Sequence, residues 1–213
     1  MDITALIVGP IETNCYLVQD HDVLIVIDPG DDLARILAEI DGHPVNEIVV
    51  THRHWDHTGA LAGLVAETGA PTSAFVLDAD AVSDCSAEGN GVASALDRGL
   101  VAAPRPSVGI DRRLNEGDII SVGEAKLRVI HTPGHTVGSM CLYCPEEKVL
   151  FSGDTLFANG SYGRSDLPTG SFDEIVETMG TKFVDIPDDV VVLPGHGPAS
   201  DIGHERAANS RLR

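Results

Sequence analysis

Residues 51–57 read Thr51-His52-Arg53-His54-Trp55-Asp56-His57, which places three imidazoles and a carboxylate within six residues. The residues before them, 47–51, form a short, mostly β-branched run that predicts a buried strand. A helix over 59–68 follows, and Gly69 closes it. The cluster therefore lies where a strand runs into a helix. In an extended segment the i, i+2 pair His52 and His54 points to one side, while Asp56 and His57 come one turn later. Neutral imidazole and carboxylate are the donors that zinc, iron and manganese accept.

Working outward, three more segments place a His or an Asp at a strand end: Thr132-Pro133-Gly134-His135, Ser152-Gly153-Asp154-Thr155 and Leu193-Pro194-Gly195-His196-Gly197. Rigid sheets hold such loops in register while leaving their side chains accessible. One metal can take His52, His54 and His135, and a second can take Asp56, His57 and His196. Asp154 would bridge the two, about 3.5–4 Å apart as in other two-metal hydrolytic sites. Further strands are expected over 3–8, 15–18, 23–27, 73–77, 119–122, 127–131, 139–143, 149–152 and 190–193. Helices are expected over 33–40, capped by Asp31 or Asp32, and over 172–179 and 202–209. Residues 78–108 are the least patterned and read as a helix-containing excursion or loop. This order predicts an α/β protein with two sheets sandwiched between helices, in one domain over 1–213.

Composition narrows the function. Thirty-three acidic residues face 14 basic ones across 213 residues, a formal charge of −19. Such a surface repels phosphate backbones and anionic headgroups, so neither nucleic acid nor a membrane is an expected partner. No uninterrupted apolar run exceeds the five residues 23–27, far short of a bilayer span. The opening residues lack a basic n-region, and four scattered cysteines do not suggest a disulfide framework, so a cytoplasmic protein is expected. Cys141 and Cys144 are three apart on a predicted strand, face opposite ways, and read as structural.

The four motifs, in this order and spacing, resemble the metallo-β-lactamase superfamily across nearly the whole chain. That resemblance implies an αββα four-layer sandwich with two divalent ions at one edge, zinc first, with iron or manganese also admissible. Trp55 and the segment from Gly153 to Pro168 are similar to the glyoxalase II (hydroxyacylglutathione hydrolase) branch, in a short single-domain form. The resemblance implies a thioesterase acting on a small-molecule S-2-hydroxyacyl thiol, with a metal-bound bridging hydroxide as nucleophile and Asp56 helping to orient it. An Asp at position 154 argues against the metallo-β-lactamases proper. The helical domain that contacts glutathione in full-length glyoxalase II enzymes has no counterpart in these 213 residues, so the thiol is left open.

The remaining residues carry less. Arg164 can stand in for a substrate-binding lysine of that family, and Tyr162 either contacts substrate or packs. Asp28, in Ile27-Asp28-Pro29-Gly30, either orients a metal ligand such as His52 or simply forms the turn. Thr13, Asn14 and Cys15 can line the cleft. His131 reads as structural, and His21, His43 and His204 read as surface residues. Two competing functions are a persulfide dioxygenase with one iron on His52, His135 and Asp154, and a lactonase or phosphodiesterase using the same hydroxide. The sequence does not give the oligomeric state.

Overall fold

The computed structural model describes residues 1–86 and 89–212, so residues 87 and 88 of the expected excursion lie outside the described residues. The first half holds β1 (Asp2–Val8), β2 (Thr13–Asp20), β3 (Val23–Ile27), α1 (Leu33–Ile40), β4 (Val45–Val50), α2 (Trp55–Thr58), α3 (Leu61–Thr68) and β5 (Thr72–Phe75). Two short helices, α4 (Ala79–Ser83) and α5 (Val92–Asp97), precede β6 (Arg112–Leu114). The second half holds β7 (Ile119–Val122), β8 (Ala125–His131), β9 (Met140–Cys144), β10 (Val149–Gly153), α6 (Phe172–Thr181), β11 (Val191–Pro194), β12 (Ser200–Asp201) and α7 (Ile202–Ala208).

The strands form two six-stranded sheets, ordered β1-β2-β3-β4-β5-β6 and β12-β11-β10-β9-β8-β7. Antiparallel hairpins begin the first sheet, and parallel pairings from β3 to β6 complete it. The second sheet is antiparallel from β7 to β10, then parallel between β10 and β11. Period-two alternation sorts each strand between layers. On β3, Ile25 and Ile27 face the space between the sheets, where they meet Leu127, Val129, Leu142 and Phe151. Leu24 and Val26 face outward, onto Ile36 and Ile40 of α1 and Leu61 and Leu64 of α3. On the far side, Ile130, Tyr143 and Leu150 pack against Ile175 and Met179 of α6 and Ile202 of α7. Three apolar layers separate four structural ones, so the expected αββα sandwich is the fold.

Cys141 and Cys144 fall into different apolar layers, as their spacing requires, and all four cysteines are free and buried. Asp32 occupies the N-cap position of α1, but its side chain makes no capping bond to the first turn. Its backbone is left-handed, at φ 52°, and its carboxylate accepts instead from the Gly9 amide at 3.0 Å. Among the described residues no helix is long and apolar enough to cross a membrane.

Candidate metal centre

The four motifs lie at the same edge of the sandwich. His52 and His54 leave the end of β4, and Asp56 and His57 sit in α2. His135 follows β8, Asp154 follows β10, and His196 follows β11. Backbone bonds between the two sheets hold these loops together: the Met140 amide donates to the Thr51 carbonyl at 3.1 Å, and Asn14 donates to the Gly195 carbonyl at 2.7 Å. The Asn14 side chain adds bonds to the Pro194 and Gly197 carbonyls, both at 2.9 Å. Asn14 thus clasps the loop that carries His196. Thr13 reaches the site itself, through a 3.2 Å bond from its hydroxyl to Asp56 Oδ2.

Hydrogen bonds fix which nitrogen most of the histidines present. His57 donates from Nδ1 to Asp28 Oδ2 at 2.9 Å, leaving Nε2 turned into the site. His52 Nδ1 lies 3.1 Å from the Thr51 hydroxyl, which itself donates to Asp28 Oδ2 at 2.7 Å. His135 donates from Nδ1 to the Arg164 carbonyl at 2.7 Å, and His196 from Nδ1 to the Glu12 carbonyl at 3.3 Å. Each of these four rings therefore turns the lone pair of Nε2 inward. His54 differs, since its Nδ1 faces His135 Nε2 at 2.8 Å. Asp28 is the orienting residue for His57 directly and for His52 through Thr51, and its buried, left-handed backbone at φ 52° aims the carboxylate there.

The inward-facing atoms converge. His52, His54 and His135 form one group of donor atoms within 4.8 Å of one another, and Asp56, His57 and His196 form another. Asp154 stands between them, with Oδ2 3.5 Å from His135 Nε2 and 3.6 Å from His196 Nε2, and Oδ1 3.4 Å from His57 Nε2. His52 Nε2, His54 Nε2, His57 Nε2 and Asp154 Oδ1 are buried with no hydrogen-bond partner. Orphaned buried polar atoms are costly, and the three that face inward, on His52, His57 and Asp154, fit a cation-binding site. Gly195 leaves the room, since a Cβ there would sit 2.2 Å from Asp154 Oδ1 and 2.7 Å from His57 Cε1. These residues fit two divalent ions.

The charge states suit the same role. Burial and the neighbouring imidazoles push His52 well below the ordinary histidine value, and burial takes His54 down to about 3. Burial also works against charge on Asp154, but His57 outweighs it and holds the carboxyl at about 2. Asp56 is likewise held well below its ordinary value, because His57 and His196 overcome its burial. Burial opposes protonation of His57, yet Asp154, Asp56 and Asp28 together raise it well above the usual imidazole range. Ionised carboxylates beside neutral His52 and His54 form a donor set for a cation, and a cation binding at His57 would displace the proton that Asp154, Asp56 and Asp28 favour there in its absence.

A cavity of about 400 Å³ opens onto this cluster, with His54, Asp56, His135, Asp154 and His196 at its floor. That size suits a small-molecule substrate. Ile11, Trp55, Leu100, Phe157 and Leu167 supply apolar wall. Arg164 lines the cavity, where Asp166 grips its guanidinium through two 2.7 Å bonds. Tyr162 corrects the substrate-contact expectation. It is absent from the wall, pairs with Leu156, and packs its ring toward the α6 layer with Arg211 5.9 Å away. Phe157, with Trp55, supplies the aromatic surface of the cavity instead. His131 is structural, stacked on Phe75 and bonded to the Val137 carbonyl at 2.9 Å.

Sequence reasoning missed two tethers. Asp78 is fully buried and takes bonds from Arg53 N at 3.0 Å, Arg53 Nε at 2.7 Å and Arg53 Nη2 at 2.6 Å. It also takes the Thr136 hydroxyl at 2.7 Å and the Gly138 amide at 3.1 Å, so it ties the first histidine motif to the loop that follows His135. Gly163 is the other. A Cβ there would lie 1.9 Å from the Asp154 carbonyl oxygen, so only glycine lets that loop close over the site. Asp78 follows the predicted strand over 73–77 as the other site acids follow theirs, and that position was the available signal.

Residues 8–209 match the model of the Metallo-beta-lactamase superfamily. The hydroxyacylglutathione hydrolase GloC of Haemophilus influenzae is 29% identical, with 100% of this chain and 98% of that protein covered. The crystal structure of the BLEG-1 B3 metallo-beta-lactamase superposes with a TM-score of 0.87 at 30% identity, covering 99% of each chain. That of TTHA1623 in a di-iron-bound form gives 0.85 at 34% identity, covering 98% of this chain and 100% of the other.

Proposed function

The chain belongs to the metallo-beta-lactamase superfamily, as a metallo-hydrolase of that superfamily, and we propose that it is a thioesterase that cleaves S-2-hydroxyacyl thiols. The observation that carries the reading is the convergence of seven donors into two groups with Asp154 between them. His52, His54 and His135 would hold one divalent ion and Asp56, His57 and His196 the other, with Asp154 shared. Zinc, iron and manganese all suit these donors, and the di-iron form of TTHA1623 supports iron as an occupant. When bound, such ions lower the pKa of water and polarise a carbonyl.

The chain's own groups do the rest. Asp56 borders the cavity, with its Oδ2 held by the Thr13 hydroxyl and lying 3.1 Å from His196 Nε2, and it orients the attacking water. The apolar wall of Ile11, Trp55 and Phe157 excludes bulk water and receives the carbon skeleton of the substrate. Cys15 lies behind the site with its thiol pushed far up by burial, so it stays protonated and does not serve as a nucleophile. Four free, buried cysteines also agree with a cytoplasmic enzyme.

The likeness to GloC favours a thioester over other acyl substrates, and the likeness to BLEG-1 keeps β-lactams as the competing class. A one-iron dioxygenase on His52, His135 and Asp154 would leave His54 and His57 idle, although His54 Nδ1 lies 2.8 Å from His135 Nε2 and the Nε2 of His57 is orphaned beside Asp154. Metal-loaded protein should release thiol from S-lactoylglutathione or from a simpler lactoyl thioester, with little turnover of a chromogenic β-lactam. Oxygen uptake with a persulfide, or β-lactam cleavage without thioester cleavage, would overturn the reading.

A further inference from the structure

The excursion between β5 and β6 builds one wall of the cavity. It docks on the first histidine motif: the Trp55 amide donates to the Asn90 carbonyl at 2.9 Å, and a Cβ at Gly91 would touch Trp55 Cδ1 at 3.0 Å. From that anchor α5 presents Gly91, Ser94 and Arg98 to the cavity, at spacings i, i+3 and i+7 along one helical face. Val92 and Ala95 are buried and fix the orientation of the helix. Arg98 is exposed and, among the described residues, no carboxylate lies within ion-pair distance of it. Arg164, the other arginine of the cavity, is already neutralised by Asp166. A guanidinium on the wall of a substrate cavity, with no ion-pair partner among the described residues and in a chain of charge −19, is placed to receive an anionic ligand group.

We propose that Arg98 is a specificity residue that binds a carboxylate carried by the substrate away from the scissile bond. The proposal rests on the hydrolase reading above and adds to it that the substrate is an acid. The carboxylate can belong to the thiol half or to the acyl half, and matched substrates separate the two. In one arm the thiol is 3-mercaptopropionate or its neutral amide, each esterified with lactate. In the other arm a neutral thiol carries a 2-hydroxyacyl group with a second carboxylate or with the corresponding amide. In one of the two arms, Arg98→Ala should lower the acid-over-amide preference in kcat/KM about tenfold or more, the size of a lost charge-assisted contact. Arg98→Lys should retain most of it. A preference within twofold of the unsubstituted protein in both arms would overturn the proposal. Calorimetric binding of the same free acids and amides gives a second readout. If no thioester is turned over at all, the thioesterase reading fails, while an acid-selective affinity lost in Arg98→Ala still sustains the subsite and equal affinities still refute it.

Discussion

Replacing Asp28 by Asn tests how the donors are oriented. Asn tolerates the left-handed backbone that Asp28 adopts at φ 52°, so the fold should survive. The carboxylate accepts three hydrogen bonds, from His57 Nδ1 at 2.9 Å, the Thr51 hydroxyl at 2.7 Å and the Thr51 amide at 2.7 Å. An amide has one accepting oxygen. If its NH2 takes the Oδ2 position, His57 Nδ1 must become the acceptor, and its proton moves to Nε2, where the lone pair is needed. If the amide flips, its NH2 faces the Thr51 amide, two donors in a buried space. In the first orientation the Thr51 hydroxyl also loses its acceptor, which frees His52. Both donor groups are thus affected, and loss of such an orienting partner typically costs 10–100-fold in metal affinity, about 1.4–2.7 kcal/mol. Competition with a chromophoric chelator measures it. An Asp28→Asn protein that folds and binds metal within threefold of the unsubstituted affinity would refute the tautomer assignment.

Asp78→Ala should leave Arg53 buried and unpaired and lower stability by about 3–5 kcal/mol. At about 2–4 °C per kcal/mol for a chain of this size, the midpoint should fall by about 6–20 °C in a thermal scan of metal-free protein. Replacing Arg53 and Asp78 together by apolar residues should recover only part of that loss, because the Thr136 hydroxyl and the Gly138 and Arg53 amides still lack their acceptor. Gly195→Ala would place a methyl group 2.2 Å from Asp154 Oδ1, so the variant should fold but bind less than the full complement of metal, read by elemental analysis. Stability should decline in alkali. Burial raises the Cys141 thiol from 9.0 to about 12, so the unfolded chain ionises first, and between these values each pH unit costs about 1.4 kcal/mol. Urea titrations at successive pH values should show a shallower decline for Cys141→Ala.

What was legible in the sequence was what chemistry places at regular spacing. The strand over 23–27 matches β3, because five apolar residues between turn signals leave little choice. The donors were legible because four of them crowd into residues 52–57, His135 and His196 each follow Pro-Gly, and Asp154 directly follows a strand. Other features needed the folded chain. The strand β6 is only Arg112–Leu114, with two exposed arginines and no alternation to announce it. The Asp78–Arg53 pair spans 25 residues, and an Asp after a strand looks like any turn residue until its partners close around it. Tyr162 points away from the cavity because its pairing with Leu156 sets the side-chain direction, which no local pattern encodes. The wall built by α5 was hidden for a similar reason. Its face comes to line the cavity only through the docking of Asn90 and Gly91 on Trp55.

The most direct test is calorimetric titration of the metal-free protein with zinc or manganese. Seven converging donors split into two groups predict two equivalents bound per chain, falling to one when His196 is replaced by Ala and the other group is left intact. A single equivalent in the unsubstituted protein, or a stoichiometry unmoved by His196→Ala, would contradict the two-ion site.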